Sequence, residues 1–432
     1  MSSQWFSGSV QFSNRACSLG EDEYSAGLRL LKQGCCLEAV ASLSRAVELR
    51  QDYPDAWTQL GAALVGMGQS MKARDCFERS LALSPGQPGL WSNLGVLLLH
   101  AGKTAEALQA FRRALALEPD MMPARRNACL ALFTLGLDEE AETLLPVSPD
   151  RGVLRGQALR EKGDLEGATE AYREAIRLME REGFSFPVSP GNRFSQEGAR
   201  KALLAAKERM DAAGITFFLL AGTLLGVIRN GDVLAHDKDM DLGVAWDVKR
   251  ERVVEVLCAE GLFTVPWEQG ILPPDRPWYR SFIHAESGCA LDVFFVRPEG
   301  DSLLCGFDQH PVPVLSRLTA FGLRDWSWMG RTWKIPDPPE QYLAEVYGPD
   351  WRVPNLQYNT VLSNPVRTPQ SLPVVLCLGY FMLYEAMLEQ KWGRAKALSE
   401  QIRLRSADPF LVDLEARIDR YAHEAQLRGG SK

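Results

Sequence analysis

The sequence predicts a multidomain chain: an all-α repeat solenoid, then an α/β domain built on a mixed sheet, then a C-terminal helical segment. Three observations carry this. Small and aromatic residues recur with a fixed long period over the first 180 residues, two Pro/Ser-rich joints interrupt the chain, and between the joints strand-like runs alternate with amphipathic helical ones. At 432 residues the chain is also too long for one ordinary core, so two or three domains are expected.

The repeats come first. Gly27 and Gly61 are 34 positions apart; Gly34, Gly68, Gly102 and Gly136 keep that step, as do Ala39, Ala73, Ala107 and Ala141. Trp57 and Trp91, Phe77 and Phe111 follow the same step, and Pro54, Pro88, Pro85 and Pro119 mark the joins. This pattern resembles the tetratricopeptide repeat, a helix-turn-helix unit whose small residues let its two helices approach closely. After a shortened fourth unit, Gly163, Ala168, Tyr172 and Ala175 begin a fifth. About five repeats over residues 22–181 suffice to bury a continuous core. A groove of this kind can hold a peptide, a partner protein or a neighbouring domain.

A linker at 182–195, FSFPVSPGNRFS at its centre, separates the repeats from the α/β domain at 196–362. There EGARKALLAAKERMDAAG reads as a helix ended by Gly214, TFFLLAG as a strand, LLGVIRN as a short helix, MDLGV as a strand and KRERVVEVLCAEG as another helix. WYRSFIHAESGCALDVFFV reads as a hairpin turning at Glu286-Ser287-Gly288. A second joint at 363–373 leads into the helical segment 374–432, where Ala395 and Ile402 fit one more helical hairpin; residues 1–21 read as an N-terminal tail.

Composition narrows the function. A net charge of −7 and a pI near 5.5 lack the basic footprint of a nucleic-acid binder. No secretory signal is legible at the N-terminus and no apolar run is expected to span a bilayer; VVLCLGYFMLY (Val374–Tyr384) fits a buried helix better. A cytoplasmic location is the expectation. The nine cysteines are scattered, and adjacent Cys35-Cys36 lack the spacing of metal ligands, so zinc is not expected.

The chemistry concentrates in HDKDMDLGV, residues 236–244. Aspartate is depleted in strands, and a carboxylate removed from water is costly without a positive partner. On a strand Asp239 and Asp241 share one face, roughly 7 Å apart, within reach of one Mg2+ ion or a pair. Asp292, embedded in ALDVFFV, calls for the same cation. Upstream, Gly222 and Thr223 stand between a strand and a helix, where free N–H groups attract phosphate and Thr223 can cap. Arg229 near the helix end is either a charge that suits that end or a phosphate ligand. Trp267, Trp278, Tyr279, Tyr347 and Trp351 are either core aromatics or the wall of a pocket.

Strand, Gly-Thr turn, short helix, strand with two aspartates and a later strand with a third resemble the nucleotidyltransferase superfamily. More narrowly, AGTLLGVIRNGDVLAHDKDMDLGV, ALDVFFV and IPDPPEQYLAEVYGPDWRVP are similar to the three ordered motifs of the LicD/fukutin family, over about residues 196–360. The resemblance implies transfer of a phosphorylated alcohol, such as phosphocholine or ribitol phosphate, from a CDP-linked donor to a hydroxyl of a glycan or glycoconjugate. It makes Asp239 and Asp241 metal ligands for Mg2+ or Mn2+, Asp292 a third ligand or the base, Gly222 and Thr223 the cradle of the donor phosphates, and Arg229 their counter-charge. His236 replaces the family's usual aromatic and Lys238 interrupts the acidic run, which bears on donor preference; His236 reads as a packed or exposed residue. The repeats would dock acceptor or partner. Two other readings stay open: a nucleotidyltransferase consuming a nucleoside triphosphate, and a non-catalytic repeat scaffold.

Overall fold

The computed structural model describes the chain except residues 1–5, 33–35, 68, 185–194, 236, 267–277, 356 and 430–432. Gly34, Cys35, Gly68, His236, Trp267 and most of the 182–195 linker lie outside the described residues.

Among the described residues ten helices precede the first strand: α1 (Phe6–Lys32), α2 (Cys36–Leu49), α3 (Pro54–Gly66), α4 (Ser70–Leu83), α5 (Pro88–His100), α6 (Thr104–Leu117), α7 (Met122–Leu135), α8 (Asp138–Leu144), α9 (Pro149–Glu161) and α10 (Leu165–Glu182). Helix α1 begins inside the stretch read as a tail. Prolines 54, 88 and 149 open helices, where a missing N–H is no loss. Asp164 Oδ1 accepts the Gly167 N–H at 2.9 Å and so caps α10. The small-residue pattern is a packing requirement. A Cβ added at Gly61, Gly95 or Gly156 would stand 2.4 Å from the ring of Phe77, Phe111 or Tyr172, the aromatic of the same repeat's second helix.

The α/β region follows: α11 (Gln196–Ala212), β1 (Phe217–Leu219), α12 (Ala221–Asn230), β2 (Asp239–Ala245), α13 (Arg250–Cys258), β3 (Phe263–Thr264), β4 (Tyr279–His284), β5 (Ala290–Glu299), β6 (Ser302–Phe307), β7 (Val314–Thr319), β8 (Gly322–Trp328), β9 (Arg331–Asp337) and α14 (Pro339–Tyr347). Among the described residues three α-helices follow: α15 (Leu372–Leu388), α16 (Trp392–Arg403) and α17 (Pro409–Gly429).

Contacts divide the chain into two compact units: Met1–Asn127 with Arg193–Phe217 and Val233–Val293, and Ala128–Asn192 with Phe218–Asp232 and Phe294–Lys432. In the first, β2, β5, β4 and β3 lie in that order, β3 and β4 antiparallel with Phe263 opposite His284. Leu242, Val244, Phe282, Leu291 and Val293 from the sheet and Leu203 and Val253 from α11 and α13 are fully buried. The Val265 N–H donates to the Gly66 carbonyl at 3.2 Å, tying the sheet region to the end of α3.

In the second unit the end of β5 pairs antiparallel with β6, and β6 with β7. Strands β8 and β9 form a separate antiparallel ribbon. The core of this unit joins Tyr172, Ile176 and Met179 of α10 to Val374, Leu383, Ala395, Ile402 and Leu414 of α15–α17. The segment Pro369–Leu388 is long and apolar enough by composition to cross a bilayer, and here it packs into that core.

Helices α15 and α16 repeat the geometry of the earlier hairpins. Gly102, Gly136, Gly163 and Gln390 all have positive φ, and in each case the next N–H returns to a carbonyl five residues back: Lys103 to Leu98 at 2.8 Å, Leu137 to Leu132 at 2.9 Å, Asp164 to Leu159 at 2.9 Å and Lys391 to Ala386 at 2.8 Å. Ala395 then occupies the place of Ala107 and Ala168. The Gly95–Phe111 pair is replaced by Leu383 and Ser399, both fully buried, so large and small have changed sides. The α/β region is thus an insertion between α10 and a further repeat-like hairpin.

Candidate active site

The acidic residues fall in the first unit. Met240, Leu242 and Val244 anchor β2 in the core, and Asp239 opens the strand with part of its surface in solvent, while Asp241 is buried. On β5, Asp292 sits between the fully buried Leu291 and Val293, and its Oδ1 accepts a short hydrogen bond from the Ser281 hydroxyl of β4. Asp237, just ahead of β2, accepts the Lys238 N–H at 3.2 Å.

The electrostatics tie three of these carboxylates together. Burial, then the charge of Asp239, pushes Asp292 up to about 7. The same two causes raise Asp237 to about 7. Asp239 is itself raised by burial, with Lys238 opposing. Lys238 and the Ser281 hydroxyl offset this in part, yet burial and mutual repulsion prevail and all three carboxyls stand above their ordinary value. Asp237 was not among the residues expected to form the site; its signal was the alternation Asp237, Asp239, Asp241. Among the described residues no group of three or more His, Cys, Asp or Glu side chains is gathered into a metal-holding set, so Asp239, Asp241 and Asp292 are not drawn together as three. Asp239 and Asp292 are brought into electrostatic contact.

The Gly-Thr turn falls in the second unit. Leu220 is extended, and Ala221 opens α12 at φ 39°, left-handed for a residue that is not glycine. The Ala221 N–H donates to the Tyr342 hydroxyl at 3.2 Å. Gly222 is partly exposed, whereas Thr223 is 1% exposed, with Leu224, Leu225 and Val227 buried beside it. Helix α12 ends at Gly231 with φ 75°. Arg229 donates from Nη1 to the Trp351 carbonyl at 3.2 Å and from Nε to Asn230 Oδ1 at 2.9 Å, a tether to the chain after α14.

Trp278, Tyr347 and Trp351 are packed against other side chains. Trp278 is buried against Trp246 with ring centroids 4.8 Å apart, and the Arg250 guanidinium lies 4.2 Å over Trp246. Tyr347 lies against Tyr358 at 4.7 Å, and Trp351 is buried under Arg352. A pocket of about 410 Å³ in the first unit, lined by Gly214, Thr216, Asp247, Lys249 and Arg252, opens at the Ala245 end of β2, opposite to Asp239. It is remote from the acidic chemistry.

Comparison with known proteins matches these regions. A model of the LicD/FKTN/FKRP nucleotidyltransferase domain fits residues 214–300, and tetratricopeptide-repeat models fit 58–121, 98–162 and 153–180. Human ribitol-5-phosphate transferase FKTN is 23% identical over 179 residues, 41% of this chain and 38% of that protein. Its Macaca fascicularis counterpart is 22% identical over the same length and shares. The chain thus spans 38% of the length of these relatives. Among solved structures, YrrB, described as a TPR protein with an unusual peptide-binding site, aligns at a TM-score of 0.33 with 22% identity, covering 41% of this chain and 93% of that one. MamA from Desulfovibrio magneticus RS-1 aligns at 0.32 with 23% identity, covering 38% and 96%.

Proposed function

We propose that this chain, which carries tetratricopeptide repeats and a LicD/FKTN/FKRP-type nucleotidyltransferase domain, is a metal-dependent phosphotransferase. Its donor would be a CDP-linked alcohol, ribitol phosphate being the transferred group named for its relatives, and its acceptor a hydroxyl of a glycan or glycoconjugate. The observation that supports the reading is the set of desolvated carboxylates, Asp237, Asp239 and Asp292, each raised above its ordinary value by burial.

These donors fit a hard divalent ion such as Mg2+ or Mn2+: all are oxygen, and their repulsion is what a cation would relieve. Asp239 and Asp241 would hold it, and Asp292, in electrostatic contact with Asp239, would serve the same charge. When bound, the ion supplies charge neutralisation at the phosphate oxygens. Asp292, whose Oδ1 accepts from the Ser281 hydroxyl, would take the proton from the acceptor hydroxyl. The acceptor oxygen then bonds to the phosphorus of the phosphoalcohol, the bond to the CMP oxygen breaks, and CMP leaves with that electron pair. The first backbone amides of α12, around Gly222, are suited to the donor's phosphates. The repeats would dock the acceptor or a protein that presents it.

The test is calorimetric titration of CDP-ribitol, CDP-glycerol, CDP-choline, CTP and ATP, with Mg2+ or with EDTA, into the wild type and Asp241→Asn. Mg2+-dependent binding of one CDP-alcohol that disappears in the variant supports the proposal. Binding confined to triphosphates, with pyrophosphate as the product in place of CMP, would make the chain a nucleotidyltransferase. Binding of none would leave a repeat scaffold.

A further inference from the structure

Tyr342 lies on α14, in the closing motif, beyond the stretch that the nucleotidyltransferase model matches. Its hydroxyl accepts the N–H of Ala221, the residue whose φ of 39° starts α12. A non-glycine residue in that region is strained and persists only where its surroundings hold it. The ring that carries the hydroxyl is itself fixed: it is 4% exposed and stands edge-on to Phe321 at 5.7 Å, and Phe321 stands edge-on to Phe218 at 5.9 Å. Phe218 belongs to β1, three residues before Ala221, so the strand entering the turn anchors the ring and the ring anchors the turn.

The far end of α12 is held from the same part of the chain. Arg229 bonds the Trp351 carbonyl, and Trp328 Nε1–H donates to the Gly231 carbonyl at 3.0 Å. At the amide end the tether from α14 is the Tyr342 hydroxyl. Fixing the Ala221 N–H fixes the peptide plane on which the orientation of the Gly222 amide depends.

We infer that Tyr342 is a positioning residue for the phosphate-binding turn: its hydroxyl holds the strained Ala221 peptide so that the first amides of α12 keep their aim. The inference rests on the reading of this turn as the donor-phosphate cradle. Loss of one neutral hydrogen bond corresponds to about a three- to tenfold change in a local equilibrium.

The test compares Tyr342→Phe with Tyr358→Phe, which loses an equivalent bond, from its hydroxyl to the Val346 carbonyl at 2.7 Å, elsewhere in the closing segment. Hydrogen exchange of the amides at 221–224 is followed without ligand, and CDP is titrated in the presence of Mg2+. In Tyr342→Phe, exchange at 221–224 should accelerate about three- to tenfold and CDP affinity fall by a similar factor, with both unchanged in Tyr358→Phe. Unchanged exchange in Tyr342→Phe overturns the inference whatever the nucleotide does. Faster exchange with unchanged CDP affinity overturns the link to the donor. A wild type that binds no CDP overturns the parent reading instead, and the exchange result still decides whether Tyr342 holds the turn.

Discussion

Replacing Asp292 by asparagine should stabilise the metal-free protein, and the gain should depend on pH. Burial first, and Asp239 second, raise the Asp292 carboxyl from 3.8 to about 7. A carboxyl raised in the folded state binds its proton there more tightly than in the unfolded chain, so ionising it opposes folding. The penalty is absent below about pH 4, grows between 4 and 7, and is complete above 7. Fully expressed, a displacement of that size corresponds to about 4 kcal/mol; because solvent reaches part of the residue, about 2 kcal/mol is expected at pH 8. Asparagine keeps the size and can still accept from Ser281, so the change isolates the charge. Urea denaturation in EDTA measures it: Asp292→Asn should exceed the wild type by about 2 kcal/mol at pH 8 and by almost nothing at pH 4. Saturating Mg2+ should shrink the pH 8 difference, because a cation stabilises only the charged site. A variant less stable than wild type at pH 8, or a gain that ignores pH, would refute the argument that this carboxylate is buried at a net cost.

Three further predictions concern the fold. Gly95→Ala should destabilise the repeats by about 1–3 kcal/mol in a urea titration, although alanine favours helix, because its methyl group meets the Phe111 ring at 2.4 Å; equal stability would mean that the ring moves freely. Asp164→Ala should cost about 1 kcal/mol by removing the α10 cap, read in the same titration. His284 is buried and held below the ordinary histidine value of 6.5 chiefly by burial, so the folded state binds fewer protons and its contribution is lost as pH falls below that value. Thermal melts should show the wild type losing ground to His284→Gln between about pH 7 and pH 5; parallel pH profiles would contradict it.

What could be read from the sequence was what packing writes locally. Gly61, Gly95 and Gly156 recur because an aromatic ring occupies the place of each missing methyl group. Strand β2, helix α12 and the turn after His284 were legible because their patterns lie within a few residues. The last repeat is legible as a helical hairpin from Ala395 and Ile402, but its register with the others is hidden by Gln390 where the other turns have glycine and by Leu383 with Ser399 where they have small with large. Strands β6–β9 carry no clear alternation in the sequence, and in β8 the reason is visible: GLRDWSW buries no residue fully on either face. At the site, the cost of burying charge pointed to Asp239, Asp241 and Asp292. The burial of Thr223 and the attachment of Arg229 to Trp351 depend on packing and on a contact 122 positions away, which no local pattern encodes.

The insertion of the α/β region between α10 and α15 has a consequence for the order of assembly. The chain leaves the helical array at Glu182 and returns at Leu372 on a helix packed against the one it left. While the intervening segment is unfolded, joining those two helices means closing a very long loop, about 3 kcal/mol costlier than the few residues that connect other repeats. Folding of that segment first removes conformational freedom from the loop and so lowers the penalty. Docking of α15–α17 onto α10 should therefore come late and report on the state of the inserted region: a misfolded insert would leave the apolar faces of α10 and α15 unburied and available to proteolysis, so the array carries its own check on the domain it encloses.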